Sequence, residues 1–330
     1  MALRLGMRFD GFDPFGETIK VAQEAVAAGA SGVWMAEHLG YREAAVSCMA
    51  CAMKTEKAMV VPTAVMPYLW HPMPTAMQFA TMAEAFPGRI GIAVSVGNLM
   101  NLRESGVTPT KPVRVIREYV EALRKLWAGE TVEMEGRVFQ LRGARLTFTP
   151  PKPSPIFVAS TGPKVLNLSG RIADGVLFSG GLSLDFTRRC VALADEGVKQ
   201  AGRDPSAVRK AGFVYFACSR NGTDAIETNR KKLAFLFRNR QMAENIKAAG
   251  IPIDQDAIVD AVAARDMDRA ATHVPDEAID AFGVAGTIAD CRNSLEAYLA
   301  TGLQEPVIQV SGTAEEKSLA LDVIRHFTGG

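Results

Sequence analysis

Short apolar segments alternate with amphipathic helices along almost the whole of this 330-residue chain. The eight predicted strands are Leu3–Phe9, Gly32–Ala36, Met59–Val65, Ile90–Ser95, Ile156–Ser160, Val176–Ser179, Lys210–Ala217 and Pro306–Val310. The predicted helices are Phe15–Ala28, Pro74–Phe86, Arg114–Ala128, Lys164–Ile172, Leu184–Ala201, Ala225–Ala248 and Thr287–Thr301. Apolar strands that alternate with helices indicate a parallel sheet covered by helices. This α/β pattern with eight strands favours a closed (β/α)8 TIM barrel over an open sheet.

Two segments interrupt the alternation. Glu130–Thr149 alternates polar and apolar residues like a small hairpin, and Gly250–Gly283 reads as a helical insertion before the last strand. Long insertions at the functional face of a barrel commonly cover its mouth, which is the expectation for Gly250–Gly283. Neither segment resembles a linker, so residues 1–330 are predicted to form a single domain.

The composition argues against several classes of protein. A formal net charge of +1 predicts no nucleic-acid binding, because such proteins carry a basic face or tail. No apolar run reaches about 18 residues and the N-terminus enters a strand directly, so neither a membrane span nor a signal peptide is expected. Five cysteines, an odd number, fit a reducing cytoplasm. Cys48 and Cys51 have metal-motif spacing but lie in an apolar segment without a second pair, which favours packing and predicts no metal site.

The segment Pro153–Gly181 predicts a strand, a tight turn, a helix and a second strand. Its turn, Thr161-Gly162-Pro163, has little side-chain bulk and opens directly onto the helix N-terminus. Free amides and the positive end of the helix dipole make such a turn suitable for an anion, most often phosphate. The alternative is an ordinary turn of an α/β protein.

In such a barrel the functional residues lie at the carboxyl ends of the strands. The candidates at these ends are Arg8, His38, Thr63, Ala64, Gly97, Asn98, Ser160, Thr161, Gly162, Ser179, Gly180 and Gly181. Phe9, Tyr68 and Trp70 are predicted to form an apolar wall opposite the glycine-rich one. A phosphate site that faces an aromatic slot indicates a phosphorylated planar cofactor.

Five segments carry a resemblance to a known family. They are WMAEH (34–38), PYLWHP (67–72), PGRIGIAVSVGN (87–98), TKPVRVIREYVEALRKLWAGETV (110–132) and ASTGPKVLNLSGRIADGVLFSGG (159–181). In this order and spacing the chain resembles the bacterial luciferase-like superfamily of flavin- and deazaflavin-dependent oxidoreductases over roughly residues 3–220. It is most similar to the methylenetetrahydromethanopterin-reductase-like branch.

The resemblance implies roles for individual residues of this chain. The phosphate would be held by the turn and loop after the fifth and sixth barrel strands, at Ser160, Thr161, Gly162, Ser179, Gly180 and Gly181. His38 would lie near the reactive face of the cofactor ring, with Gly97 and Asn98 beside the ring. A non-prolyl cis peptide near Thr63-Ala64 would support the ring from behind.

Two positions depart from the expected pattern of the pterin reductases. That pattern has acidic groups at the end of the first strand and after the fourth, where this chain has Arg8 and Asn98. Neither side chain can act as a carboxylate acid or base, so the pterin reaction itself is not predicted. A positive Arg8 favours an anionic substrate or an anionic reduced ring.

The resemblance leaves three functions open. The preferred one is F420-dependent hydride transfer to a small organic substrate, and the others are an FMNH2-dependent monooxygenase that uses O2 and a non-catalytic flavin-binding barrel. The cofactor is accordingly coenzyme F420 or FMN, with a separate reductase to supply its reduced form. The resemblance also implies a homodimer formed through helices near strands 2 and 3. The apolar run Ala44–Met53 suits either that interface or a buried helix.

Overall fold

The computed structural model describes residues 3–329 of the chain. The strands are β1 (Gly6–Phe9), β2 (Gly32–Ala36), β3 (Met59–Thr63), β4 (Ile92–Val94), β5 (Val132–Glu135), β6 (Gln140–Ala144), β7 (Ile156–Ala159), β8 (Gly175–Phe178), β9 (Arg209–Phe213), β10 (Tyr215–Cys218), β11 (Gly283–Gly286) and β12 (Glu305–Gln309). The helices are α1 (Phe15–Ala27), α2 (Ala44–Lys54), α3 (Pro72–Ala85), α4 (Leu99–Glu104), α5 (Pro112–Trp127), α6 (Pro163–Ile172), α7 (Leu184–Gln200), α8 (Thr223–Phe237), α9 (Ala243–Ala249), α10 (Gln255–Ala263), α11 (Met267–Thr272), α12 (Asp276–Phe282), α13 (Ile288–Leu299) and α14 (Ala314–Thr328). Short 3-10 turns lie at Pro205–Ala207 and Arg240–Met242.

Eight parallel strands form the barrel, in the order β3-β2-β1-β12-β9-β8-β7-β4. The two end strands of this order, β3 and β4, are joined by parallel bridges between Val60 and Ile90 and between Val65 and Val94. These bridges close the sheet, so the carboxyl ends of all eight strands meet at one mouth. The predicted (β/α)8 barrel is confirmed.

A buried polar cluster lies at the amino-terminal end of the barrel. The Glu305 side chain is fully buried and accepts hydrogen bonds from Trp34 Nε1 at 3.2 Å and from Ser31 Oγ at 2.9 Å. The guanidinium of Arg209 also donates to this carboxylate. Trp34 in turn packs edge-to-face on Phe157 with ring centroids 5.1 Å apart. This cluster fills the end of the barrel opposite the mouth.

The structure corrects two of the predicted elements. The predicted strand Lys210–Ala217 is divided at Val214, because its second half leaves the barrel and pairs with β11 as a separate parallel ribbon. An apolar run does not show where a strand changes partner. The predicted helix Ala225–Ala248 is also divided, because Asn239 accepts a hydrogen bond from the Gln241 amide and begins a 3-10 turn between α8 and α9.

The two predicted insertions have the expected secondary structure. Strands β5 and β6 pair antiparallel within residues 130–149, which confirms the hairpin. Helices α10, α11 and α12 occupy the insertion 250–283, although its last residue, Gly283, already belongs to β11. These helices pack against α8. No helix within residues 3–329 is long and apolar enough to cross a bilayer.

We expect replacement of Glu305 by Gln to lower the free energy of unfolding by about 3 kcal/mol, because Arg209 would remain largely buried without a counter-charge. Urea denaturation followed by far-UV circular dichroism measures this change. Glu315→Gln is the matched control, since its ion pair with Arg220 is exposed and contributes about 0–1 kcal/mol. Equal effects of the two substitutions would contradict the prediction.

Candidate active site

The barrel mouth is lined by half-buried side chains at the ends of different strands. They are Arg8, His38, Ala64, Ser95, Ser160, Phe213 and Gln309. Parallel pairing around the closed barrel brings these strand ends to the same face. The mouth therefore assembles residues that are up to 301 positions apart in the chain, from Arg8 to Gln309.

The carboxylate of Asp10 is the centre of a polar cluster at the end of β1. Arg8 Nε donates to Asp10 Oδ1 at 3.0 Å, and Arg8 Nη2 lies 2.9 Å from the same oxygen. Gln309 Nε2 donates to Asp10 Oδ2 at 2.6 Å. His38 Nε2 lies 3.6 Å from Asp10 Oδ1, which is ion-pair rather than hydrogen-bond distance. The guanidinium of Arg8 also lies over the ring of Phe213, 5.1 Å from its centroid.

The surroundings of Asp10 keep it ionised. Burial alone would raise its pKa, but the neighbouring imidazole of His38 and the guanidinium of Arg8 outweigh burial and lower the pKa to about 2. A carboxylate therefore persists at this point of the mouth at every pH above about 4.

This cluster places a carboxylate, that of Asp10, against Arg8 at the end of the first strand. Asp10 is two residues beyond Arg8 and so lies on the same side of the strand, which is the signal that could have revealed the pair. Arg8 is not an uncompensated positive charge, because Asp10 neutralises it. The contribution of Gln309 carried no signal, since its strand was predicted but its contact with Asp10 is tertiary.

The segment before His38 is tied to the end of β3. The Glu37 amide donates to the Thr63 carbonyl at 2.6 Å, and the Glu37 carboxylate accepts from the Ala44 amide at 2.7 Å. Burial raises the pKa of Glu37, opposed by that amide. The Thr63-Ala64 peptide is cis, which confirms the predicted non-prolyl cis peptide. His38 itself is 41% exposed and packs beside the ring of Phe12 at 4.9 Å.

The turn after β7 presents backbone amides at the start of α6. Ser160 Oγ accepts from the Gly162 amide at 3.0 Å, which holds the turn closed. No side chain caps α6, and the amides of Thr161 and Lys164 donate to no acceptor within residues 3–329. These free donors at the positive end of the helix dipole can bind an anion.

The loop after β8 lies beside that turn. The Ser160 amide donates to the Leu177 carbonyl at 3.2 Å, so the turn and β8 are neighbours. Gly181 has φ +74°, and a Cβ there would lie 2.0 Å from Leu236 of α8. Asn245 of α9 donates to the Gly181 carbonyl at 2.8 Å and accepts from the Ser183 amide at 2.9 Å. Ser179 is exposed and Gly180 half-buried in the same loop.

The loop after β8 is contacted by two helices that follow the barrel strand β9. The contacts come from Leu236 in α8 and Asn245 in α9, which precede the insertion 250–283. Helices α10 and α11 of the insertion pack against α8. Sequence reasoning missed Asn245, because a single buried Asn in an amphipathic helix has no distinctive pattern.

The loop after β4 continues the mouth on the other side of β7. Gly97 has φ +88°, its amide donates to Ser95 Oγ at 3.0 Å, and a Cβ there would lie 2.6 Å from Met66 Sδ. Only glycine therefore suits this close approach of two loops. Asn98 is exposed between Gly97 and α4.

Other predicted candidates have structural roles. Phe9 is buried in the hydrophobic core, which corrects its predicted place in an apolar wall of the mouth. Tyr68 donates its hydroxyl to the Thr110 carbonyl at 2.6 Å. His71 caps α3, where its Nδ1 accepts from the Met73 amide at 3.3 Å. Cys48 and Cys51 are buried in α2. Residues 3–329 contain no group of three or more His, Cys, Asp or Glu that could hold a metal ion.

Residues 4–305 match a family model described as luciferase-like monooxygenase. The chain belongs to this family. A 5,10-methylenetetrahydromethanopterin reductase of Methanolobus tindarius is 26% identical over 321 residues, which cover 97% of this chain and 98% of that protein. An F420-dependent glucose-6-phosphate dehydrogenase of Tsukamurella paurometabola is 29% identical over 245 residues, covering 69% and 73%. These matches confirm the predicted resemblance.

A solved structure supports the same assignment of fold. The coenzyme F420-dependent tetrahydromethanopterin reductase from Methanopyrus kandleri superposes with a TM-score of 0.89 at 23% sequence identity. The superposition covers 99% of this luciferase-like chain and 100% of the reductase. The two proteins therefore share their whole fold.

We expect the stability contributed by Asp10 to depend on pH. Its pKa is lowered from 3.8 to about 2, so the contribution is present above about pH 4 and disappears as the pH falls through about 2. Asp10→Asn should therefore cost about 2 kcal/mol of unfolding free energy at pH 7 and almost nothing near pH 2. Urea denaturation at a series of pH values measures both.

Asp13→Asn is the control for this series, because Asp13 lies in an exposed loop three residues away. Its effect should stay within about 0.5 kcal/mol at every pH. A cost of Asp10→Asn that stays constant down to pH 2 would show that the negative charge is not its source.

Proposed function

We propose that this protein is an oxidoreductase that binds a flavin-type cofactor in the barrel mouth and transfers hydride between coenzyme F420 and a small organic substrate. The observation that carries the proposal is that the backbone amides of Thr161 and Lys164, at the N-terminus of α6, have no hydrogen-bond acceptor in the described part of the chain. They lie beside the loop of Gly180 and Gly181, which has no side chains at these two positions. The relatives named as F420-dependent or as methylenetetrahydromethanopterin reductases support the choice of deazaflavin.

The residues of the mouth fit such a cofactor. F420 and FMN both carry a phosphate, and Ser160, Thr161 and Gly162 with Ser179, Gly180 and Gly181 provide a site without bulky side chains for it. We assign the cis peptide Thr63-Ala64 to support of the ring, with Gly97 and Asn98 beside it. When bound, the deazaflavin supplies the hydride-transfer chemistry.

Charged and polar side chains at the end of β1 and after β2 would orient the reactants. We assign His38 as a group that contacts the reactants through its ring, since its Nε2 lies 3.6 Å from the Asp10 carboxylate at the barrel mouth. Asp10 and the ring of Phe213 fix the orientation of the Arg8 guanidinium. Its remaining N–H groups could therefore donate hydrogen bonds to an oxygen of the substrate. Asp10 is a positioning residue for both.

The second candidate is an FMNH2-dependent monooxygenase that uses O2. The description of the family as luciferase-like monooxygenase favours it, and FMN also carries a phosphate that the turn after β7 could bind. A non-catalytic flavin-binding barrel shares the same site. The three functions differ in which cofactor binds and in what consumes its electrons.

We further propose that residues 1–330 act as one domain in the cytoplasm, with a separate reductase that supplies reduced cofactor. The first hydrophobic cluster combines residues from Leu5 to Phe327, and the second, formed by α8–α12, joins the barrel through the β10–β11 ribbon, which supports the single domain. Cys48, Cys51, Cys190, Cys218 and Cys291 are all free and buried, as suits a reducing compartment.

Titration with F420 and with FMN tests the proposed function. We expect oxidised F420 to bind about tenfold or more tightly than FMN, measured by fluorescence quenching. Thr161→Glu should weaken cofactor binding about tenfold, because it places a negative charge in the phosphate site. Thr149→Glu, an exposed substitution outside the site, is the control.

The outcomes separate the three functions. Tighter binding of FMN, with O2 consumed by the reduced complex, would establish the monooxygenase instead. Tight binding without consumption of O2 or of any hydride acceptor would support the non-catalytic barrel.

We also propose a homodimer formed through α1, α2 and α3. A groove of about 840 Å³ on these helices is lined mainly by apolar side chains, among them Phe15, Met49 and Met77. Val46 is 59%, Met53 65% and Met77 51% exposed, whereas the opposite face of α2 is buried. A contiguous exposed apolar face of this kind is typical of an interface between subunits.

The double variant Met53→Glu/Met77→Glu should convert the dimer to a monomer, because it would bury charges in the interface. Sedimentation velocity measures the mass. Phe235→Glu, an equally exposed position on α8, should leave the dimer intact. A monomeric unmodified protein, or a double variant that stays dimeric, would rule out this interface.

A further inference from the structure

A second groove lies beside the phosphate turn, outside the barrel mouth. It has a volume of about 800 Å³ and is formed by α5 from Pro112 to Lys125, the end of β5 and the first turn of α6. We call it the α5 groove. Its lining contains both lysines and arginines and several carboxylates, so its net charge depends on which groups are already paired.

One wall of the α5 groove is rigid. The Glu118 carboxylate is buried and accepts hydrogen bonds from the amides of Arg137, Val138 and Phe139 at 3.1, 2.9 and 3.1 Å. Gly136 lies against the same carboxylate, since a Cβ there would be 2.5 Å from Glu118 Oε2. The hairpin is therefore fixed to α5, and Glu118 is occupied within the fold.

Two further carboxylates of the groove are also paired. Glu121 Oε1 lies 2.8 Å from Lys125 Nζ, and Glu135 Oε1 lies 3.7 Å from Arg142 Nε. Glu133 is the one lining carboxylate with no ion-pair partner among residues 3–329.

The cations of the groove are largely unpaired. Lys111, Arg117 and Lys164 line it, are exposed, and make no ion pair with any residue in the described range. Three free positive charges against the single free charge of Glu133 leave the groove positive. It is suited to an extended ligand with more than one negative charge.

The α5 groove borders the turn of the proposed cofactor site at Lys164. Lys164 is two residues beyond Gly162 in the same turn, and its amide is one of the two free donors there. On the other rim, Lys111 follows Thr110, whose carbonyl accepts from the Tyr68 hydroxyl in the loop after β3. Lys164 therefore belongs to both features, with its amide at the turn and the residue itself in the lining of the groove.

We propose that the α5 groove binds the anionic tail of the deazaflavin cofactor. This inference rests on the proposed F420 dependence. The phosphate of F420 is a diester that continues into a lactyl-oligoglutamate chain, whereas FMN ends at its phosphate. The tail carries several carboxylates in an extended chain, which matches free cations spread along a groove that begins at the phosphate turn.

The test compares two forms of oxidised F420, one with the full oligoglutamate tail and one that lacks the glutamates. Dissociation constants are measured by fluorescence quenching at low and at physiological ionic strength. The tailed form should bind about three- to tenfold more tightly to the unmodified protein, and salt should reduce this difference.

Two variants with opposite effects make the test specific. Arg117→Glu should weaken binding of the tailed form about three- to tenfold and change the tail-less form by about twofold or less. Glu133→Gln should tighten binding of the tailed form about two- to threefold, because it removes the unpaired negative charge. General damage to the protein cannot produce that gain.

Lys152→Glu is the matched control. It makes the same change of charge on an exposed residue beside Gly88, before β4 and so at the opposite end of the barrel. It should leave the ratio of the two dissociation constants unchanged.

The unfavourable outcomes are distinguishable. Equal binding of the two F420 forms, or an equal effect of Arg117→Glu on both, would overturn the tail site and leave F420 dependence intact. Failure of both F420 forms to bind while FMN binds would overturn the proposed F420 dependence, and the tail site with it.

Discussion

Closure of the eight-stranded parallel sheet is the constraint on which the rest of this structure depends. Unpaired strand edges would leave backbone groups without partners, and the bridges between β3 and β4 remove those edges. Closure also determines where chemistry can occur. The Glu305 cluster fills one end of the barrel, so the side chains at the carboxyl ends of the strands surround the other, which is open to solvent.

The two walls of the mouth are built differently. One wall depends on side-chain charge, since a single buried carboxylate at Asp10 orients Arg8 and faces His38. The other depends on backbone amides and the dipole of α6, with Ser160 closing the turn. In the proposed function these two walls have separate tasks: the wall around Asp10 determines reactivity, and the wall of backbone amides binds the phosphate.

Segments outside the barrel extend the site in two directions. Helices α8 and α9 hold the loop after β8 through Leu236 and Asn245, and the β5–β6 hairpin is fixed to α5 by the buried Glu118. In both places buried hydrogen bonds or close van der Waals contacts fix the segment against a helix. The loop after β8 and the hairpin therefore have defined positions. The barrel supplies the common mouth, and these additions shape what lies next to it.

The local sequence pattern was sufficient to predict most of the secondary structure of the barrel. The strand–turn–helix segment Pro153–Gly181, the eight barrel strands and the hairpin follow from short-range periodicity and turn chemistry, and the family resemblance predicted the cis peptide at Thr63-Ala64. Tertiary structure alone decided the division of Lys210–Ala217, the contact of Asp10 with Gln309 and the pairing that leaves Arg117 free. Strand partners and charge compensation depend on residues far apart in the chain, and the sequence near each residue does not specify them.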